Sequence, residues 1–87
     1  MKTIEIIIPT RNRLEKLRRT IRTIPEEAAG ARLAIVAICD GDPETTRAMA
    51  GESRVARTIL IPEHSGSVHC RNLATRMAEG DIIYATD

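Results

Sequence analysis

Four apolar runs, separated by segments that are apolar only at helical intervals, set out the plan of this chain. From Thr3 to Ile8 the residues Ile4, Ile6, Ile7 and Ile8 form a near-continuous β-branched run, the pattern of a strand covered on both faces. Pro9 lacks the amide that a central ladder would use, so the strand is expected to stop before it. Asn12-Arg13-Leu14-Glu15 has the spacing of a capping box, with Asn12 as N-cap and Glu15 reaching back. In the helix that follows, Leu14, Leu17, Ile21 and Ile24 share one face, Arg13, Lys16, Arg19 and Arg22 point outward, and Pro25 marks the end.

After a loop from Glu26 to Arg32, Leu33 to Cys39 is a second continuous apolar strand, ending at Asp40. Asp42-Pro43-Glu44 signals a helix start, an acidic N-cap with Pro at the first helical position, and Gly51 stops that short helix. Val55 to Ile61 is the third strand, closed by Pro62. A helix from Ser67 should turn Val68, Leu73 and Met77 inward, flanked by Cys70 and Ala74, with Gly80 as C-cap. Asp81 to Thr86 is the fourth strand.

The order β-α-β-α-β-α-β, with crossovers long enough for parallel strands, predicts an α/β fold. Its parallel β-sheet carries helices on both faces, a Rossmann-like half of a larger fold. Residues 1–87 read as one domain, incomplete at its C-terminus, because a parallel sheet needs its last strand covered. Truncation then predicts exposed apolar surface and a homodimer formed through the free sheet edge or by swapped elements.

Composition sharpens this only in places. The 43% hydrophobic content is almost wholly aliphatic, with Tyr84 the single aromatic, which suits aliphatic helix and sheet layers. At 87 residues the domain buries only roughly 60–65% of its unfolded surface, so its stability is expected to be marginal. A formal net charge of +1 with both signs interspersed gives no nucleic-acid or membrane-surface patch. Cys39 and Cys70 stand in apolar surroundings without disulfide-scaffold spacing, which predicts reduced thiols and a cytoplasmic protein. No apolar run reaches the length of a signal core or a transmembrane helix.

Ligands of open α/β sheets bind beyond the carboxyl ends of the strands. The polar residues there are Thr10, Arg11 and Asn12, then Asp40, Gly41 and Asp42, then His64, Ser65 and Gly66, and finally Asp87. Neither a G-x-G-x-x-G nor a G-x-x-x-x-G-K-[ST] cradle occurs, which argues against a dinucleotide dehydrogenase, a P-loop enzyme or a flavodoxin-like domain. Ser65 or Ser67 as a nucleophile would rest on nearby His64 and His69 alone, without a G-x-S-x-G elbow. In a zinc site from Cys39, His64, His69 and Cys70 only His64 and His69 have ligand spacing, and they straddle a helix start, so buried thiols and loop imidazoles are the better reading.

Four pieces in order, Ile-Ile-Ile-Pro-Thr-Arg-Asn-Arg, Asp-Gly, Gly-x-x-x-x-Arg-Asn-Leu-Ala and Gly-Asp-Ile-Ile-Tyr-Ala-Thr-Asp, span essentially the whole chain. In these the chain resembles family 2 glycosyltransferases of the GT-A fold. The resemblance implies transfer of a sugar from a nucleotide-diphospho-sugar to an acceptor hydroxyl, with this chain supplying the nucleotide-binding portion. It implies that Pro9, Thr10 and Arg11 line the base and ribose, that Asp40 accepts a hydrogen bond from the base, and that Arg71 lies along the base or diphosphate.

Asp87 would be the first acid of an Asp-x-Asp motif holding Mg²⁺ or Mn²⁺ on the diphosphate. The second acid and the general base lie beyond the chain, so the fragment holds no catalytic residue and is expected to be inactive alone. Two positions depart from the family: Arg11 stands where an aromatic is usual, and Cys39-Asp40-Gly41-Asp42 replaces Asp-Asp-Gly-Ser. The alternative is a non-catalytic nucleotide-binding or assembly module.

Overall fold

A computed structural model of the protein describes residues 1–78 and 80–85, Ser67 by its backbone alone. Its elements are β1 (Lys2–Thr10), α1 (Leu14–Thr23), β2 (Glu27–Ala28), β3 (Ala31–Asp40), α2 (Pro43–Met49), β4 (Val55–Ile61), α3 (Ser67–Met77) and β5 (Asp81–Tyr84). β3 pairs with β1 and β4, and β1 pairs with β5, all in parallel. β2 runs antiparallel to the start of β3. The expected α/β architecture is therefore present, with one added hairpin.

Strand parity distributes the core. Ile6 and Ile8 of β1 and Ile35 and Ala37 of β3 face Leu17 and Ile21 of α1 and Met49 of α2. The alternate residues Ile7, Val36 and Ile38, with Ile61, face Cys70 and Ala74 of α3 on the other side. Because successive strand side chains point to opposite faces, the continuous apolar runs are what allow both layers to form. Glu5 interrupts the run on β1, and its carboxylate takes a hydrogen bond from Arg57 of β4 at 2.6 Å.

Several local expectations are corrected. β1 continues through Pro9 to Thr10, which pair with Ile38 and Cys39. The carbonyl of Ile7 accepts from the amide of Ala85, so alternate residues present their polar groups toward β5. The amide that Pro9 lacks would face that side, past the pairing of Ile7 with Tyr84, and the β3 ladder is unaffected.

No capping box forms at α1. Its N-cap is Arg13, without a side-chain cap bond, and Glu15 pairs with Arg18 at 3.2 Å. Asn12 sits at φ 53°, in the left-handed region that Asn tolerates best after Gly. The other end of α1 behaves as expected, stopping at Ile24 before Pro25. There Arg54 donates to the carbonyls of Ile24, the C-cap, and of Pro25 just beyond it, at 2.6 and 3.1 Å.

The expected loop from Glu26 to Arg32 is instead a hairpin, which starts β3 at Ala31. Its two central residues, Ala29 and Gly30, have φ of 51° and 78°, the signature of a type I′ turn. In α3 the inward residues are Cys70 and Ala74, with Leu73 partly buried. Val68 and Met77, placed inside by periodicity, are 70% and 41% exposed. Small residues bring the helix close to the sheet, and the larger ones are turned outward. α3 ends at Ala78, not at Gly80. Thr86, part of the expected last strand, lies outside the described residues.

Candidate functional site

The carboxyl ends of β1, β3 and β4 converge on one rim, and a cleft of about 330 Å³ opens there. It is lined by Pro9, Thr10, Arg11, Asn12 and Arg13 from the end of β1 onward, and by Asp40, His64 and Cys70. Four of the expected site residues, Pro9, Thr10, Arg11 and Asp40, are thus brought together. Arg71 is not among the lining residues; its guanidinium lies 5.6 Å from the centroid of the Tyr84 ring. Its Nε is buried and has no hydrogen-bond partner in the described structure. Asp87 lies outside the described residues.

Asp40 is 4% exposed and organises the loop after β4. One oxygen accepts from the Ser65 amide at 2.8 Å and from the Ser65 hydroxyl at 3.3 Å. The other accepts from the Gly66 amide at 2.8 Å and from His64 Nδ1 at 2.8 Å. Burial would raise its pKa, but the Ser65 and Gly66 amides, together with His64, outweigh burial and hold the carboxyl below its usual range.

Cys70 packs beneath. Its thiol pKa is pushed up by burial and by the neighbouring Asp40 carboxylate, which disfavours the thiolate. Cys39 is likewise raised, first by burial, and both cysteines are free.

Asp42 ties the other half of the rim. It is buried, caps α2 by accepting from the Thr45 amide at 3.2 Å, and takes the Thr45 hydroxyl as well. The same carboxylate accepts from the Asn12 amide at 2.8 Å, so the helix cap also holds the turn after β1. Burial acts to raise its pKa, and the bonds from Thr45 and Asn12, with the charge of Arg11, bring it below the usual range.

Gly41 between the two acids has φ 66°, and a Cβ there would stand 2.9 Å from the His64 amide nitrogen. Only glycine lets β3 and the 63–66 loop approach this closely. The Asp-Gly-Asp sequence therefore encodes two clamps and a close contact. The two clamping roles and the part of His64 were not readable from the chain, because each depends on a partner at least 24 positions away in sequence; the only signal was that His64 follows an apolar strand.

Among the described residues no group of three His, Cys, Asp or Glu side chains converges to hold a metal ion. None of their helices is long and apolar enough to cross a membrane. No individual curated protein matches the chain. The family described as Glycosyl transferase family 2 does, over residues 5–87, a span from β1 to the last residue that contains every residue of the cleft. The α/β sheet, the cleft at its carboxyl rim and this match together give one conclusion: the chain belongs to glycosyl transferase family 2.

Proposed function

We propose that this chain holds the nucleoside diphosphate part of a nucleotide-sugar donor in the rim cleft, for transfer of the sugar to an acceptor hydroxyl. The observation that supports this reading is the convergence of Pro9, Thr10, Arg11 and Asp40 on one cleft at the carboxyl ends of β1 and β3, where open α/β sheets bind ligands. Arg11, exposed at its mouth, offers a planar fork for a base face or a phosphate. Arg71 is proposed to reach the diphosphate, since the buried Nε without a partner is a donor that an anion would satisfy.

Asp87 is proposed to hold Mg²⁺ or Mn²⁺, which when bound neutralises charge on the diphosphate leaving group. The donor contacts above do not depend on it. The free, buried thiols of Cys39 and Cys70 are compatible with a reducing compartment, and a cytoplasmic location is part of the proposal.

A second reading, assembly with another copy of the chain, is favoured by one feature. β5 pairs only with β1 among the described residues and carries Ile83 at 50% exposure.

Calorimetric titration of the chain with UDP and GDP, with and without Mn²⁺, tests the donor site. Wild type is expected to bind one of them, and Asp40→Ala, by releasing the 63–66 loop, to weaken binding at least about tenfold, or 1.4 kcal/mol. A folded wild-type chain that binds neither overturns the reading.

A further inference from the structure

Arg71 stands apart from the cleft, and a single ring accounts for where it stands. Its guanidinium carbon lies 5.6 Å from the centroid of the Tyr84 ring, within the range at which a cation is drawn to an aromatic face. The two meet because of strand parity. Tyr84 pairs with Ile7, so its side chain is on the face where Ile7 packs against Cys70 and Ala74 of α3. Arg71 and Thr75, neighbours along one side of that helix, both reach it. The Thr75 hydroxyl donates to the Arg71 carbonyl at 2.8 Å. The Tyr84 hydroxyl lies against the Thr75 hydroxyl and 3.2 Å from the same carbonyl. The ring is thus tethered at its hydroxyl end to the helical turn whose arginine covers its face.

Tyr84 is also the last residue of β5, at the carboxyl rim. β1 lies between β3 and β5 in the sheet. A nucleoside diphosphate with its base in the cleft at the ends of β1 and β3 therefore runs its phosphates toward the end of β5. A guanidinium laid on a ring keeps its in-plane N–H groups for an anion, and Nε of Arg71 has no hydrogen-bond partner. Holding this long arm before the ligand arrives removes part of the cost of ordering it on binding.

We infer that Tyr84 is a positioning residue of the donor site: its ring holds the Arg71 guanidinium at the carboxyl end of β5 for the diphosphate. The inference rests on the donor-site reading above, and adds to it a residue that acts through Arg71. Tyr84 is the only Phe, Trp or Tyr in the chain, so no neighbouring aromatic ring can take its place.

The test is calorimetric titration with UDP and GDP, without metal, of the wild-type chain, Tyr84→Leu, Tyr84→Phe, Arg71→Ala and the Tyr84→Leu/Arg71→Ala double variant, each checked for folding by a urea melt. Tyr84→Leu should weaken binding about fivefold, the effect of leaving one long side chain to be ordered by the ligand. Tyr84→Phe keeps the ring face and should stay within about twofold of wild type. In the Arg71→Ala background the Leu substitution should cost nothing further, because the group it positions is gone.

Tyr84→Leu binding as tightly as wild type, or more tightly, overturns the inference and leaves the donor site standing. So do losses from Tyr84→Leu and Arg71→Ala that multiply in the double variant, or a Phe variant as weak as Leu, since either assigns Tyr84 a role that does not pass through its ring and Arg71. Nucleotide binding unchanged in Arg71→Ala removes the diphosphate contact and this inference with it, while the cleft remains. A folded wild type that binds neither nucleotide removes the donor site and this inference together.

Discussion

Asp42 shows how one side chain at the rim serves two elements. It caps α2 and holds the turn after β1 through the Asn12 amide, so its loss uncaps a helix and strands a partly buried donor. Asp42→Ala is expected to lower stability by about 2–3 kcal/mol at neutral pH, and Asp42→Ser, which restores only the cap, to fall between. The folded-state pKa of Asp42 lies below its usual value. The stabilisation is therefore complete above the unfolded pKa of about 4 and is lost as pH falls through the folded value. Urea melts from pH 7 down to pH 2 should show the gap between wild type and Asp42→Ala constant above about pH 5 and closing below about pH 4. A gap independent of pH would show that the ionised carboxylate is not what holds the turn. The acidic N-cap role was legible in Asp42-Pro43-Glu44, and the bond to Asn12 was not, since it joins residues 30 positions apart.

At the scale of elements, the hairpin joining β2 and β3 is where local chemistry and geometry disagree. A type I′ turn asks for positive φ at both central positions, and Ala29 at 51° bears that with a Cβ. Asn tolerates this region far better, so Ala29→Asn is expected to raise stability by about 0.5–1 kcal/mol. A thermal melt reads this as a higher Tm; an unchanged or lower Tm would mean that the turn does not hold these dihedrals in solution. The hairpin escaped sequence reading because Ala-Gly is a weak turn signal. The inward face of α3 was misread for a different reason. Periodicity alone favoured Val68 and Met77, but the closeness of helix to sheet selected Cys70 and Ala74.

At the scale of the whole molecule, β5 is the last strand of the sheet on its side among the described residues, and its pairing with β1 covers only Ile4 to Ile7. Ile83 pairs with Ile6 and so lies on the α1 face, yet it is half exposed. An apolar edge of this kind is a template for strand pairing with another chain. Sedimentation velocity over a concentration series is expected to show self-association of the 87-residue chain, and Ile83→Lys to suppress it. A clean monomer at high concentration, with the variant indistinguishable, would remove the assembly reading. The Glu5–Arg57 bridge across the sheet belongs to the same scale. It joins β1 to β4, which are not neighbours in the hydrogen-bonded order.

The sequence by itself determined the order of elements, the two-faced burial of the strands and the rim on which the polar residues gather. Those depend on periodicity, chain direction and strand ends, which are local properties. It also carried the family, in short motifs strung along the chain. Tertiary structure alone decided that Pro9 belongs to the sheet, that α3 packs through its small residues, and that Asp40 gives both its oxygens to the loop after β4. Each of these is settled by what lies across a ladder or a turn, and a hydrogen-bond acceptor has no partner until the fold brings one within reach.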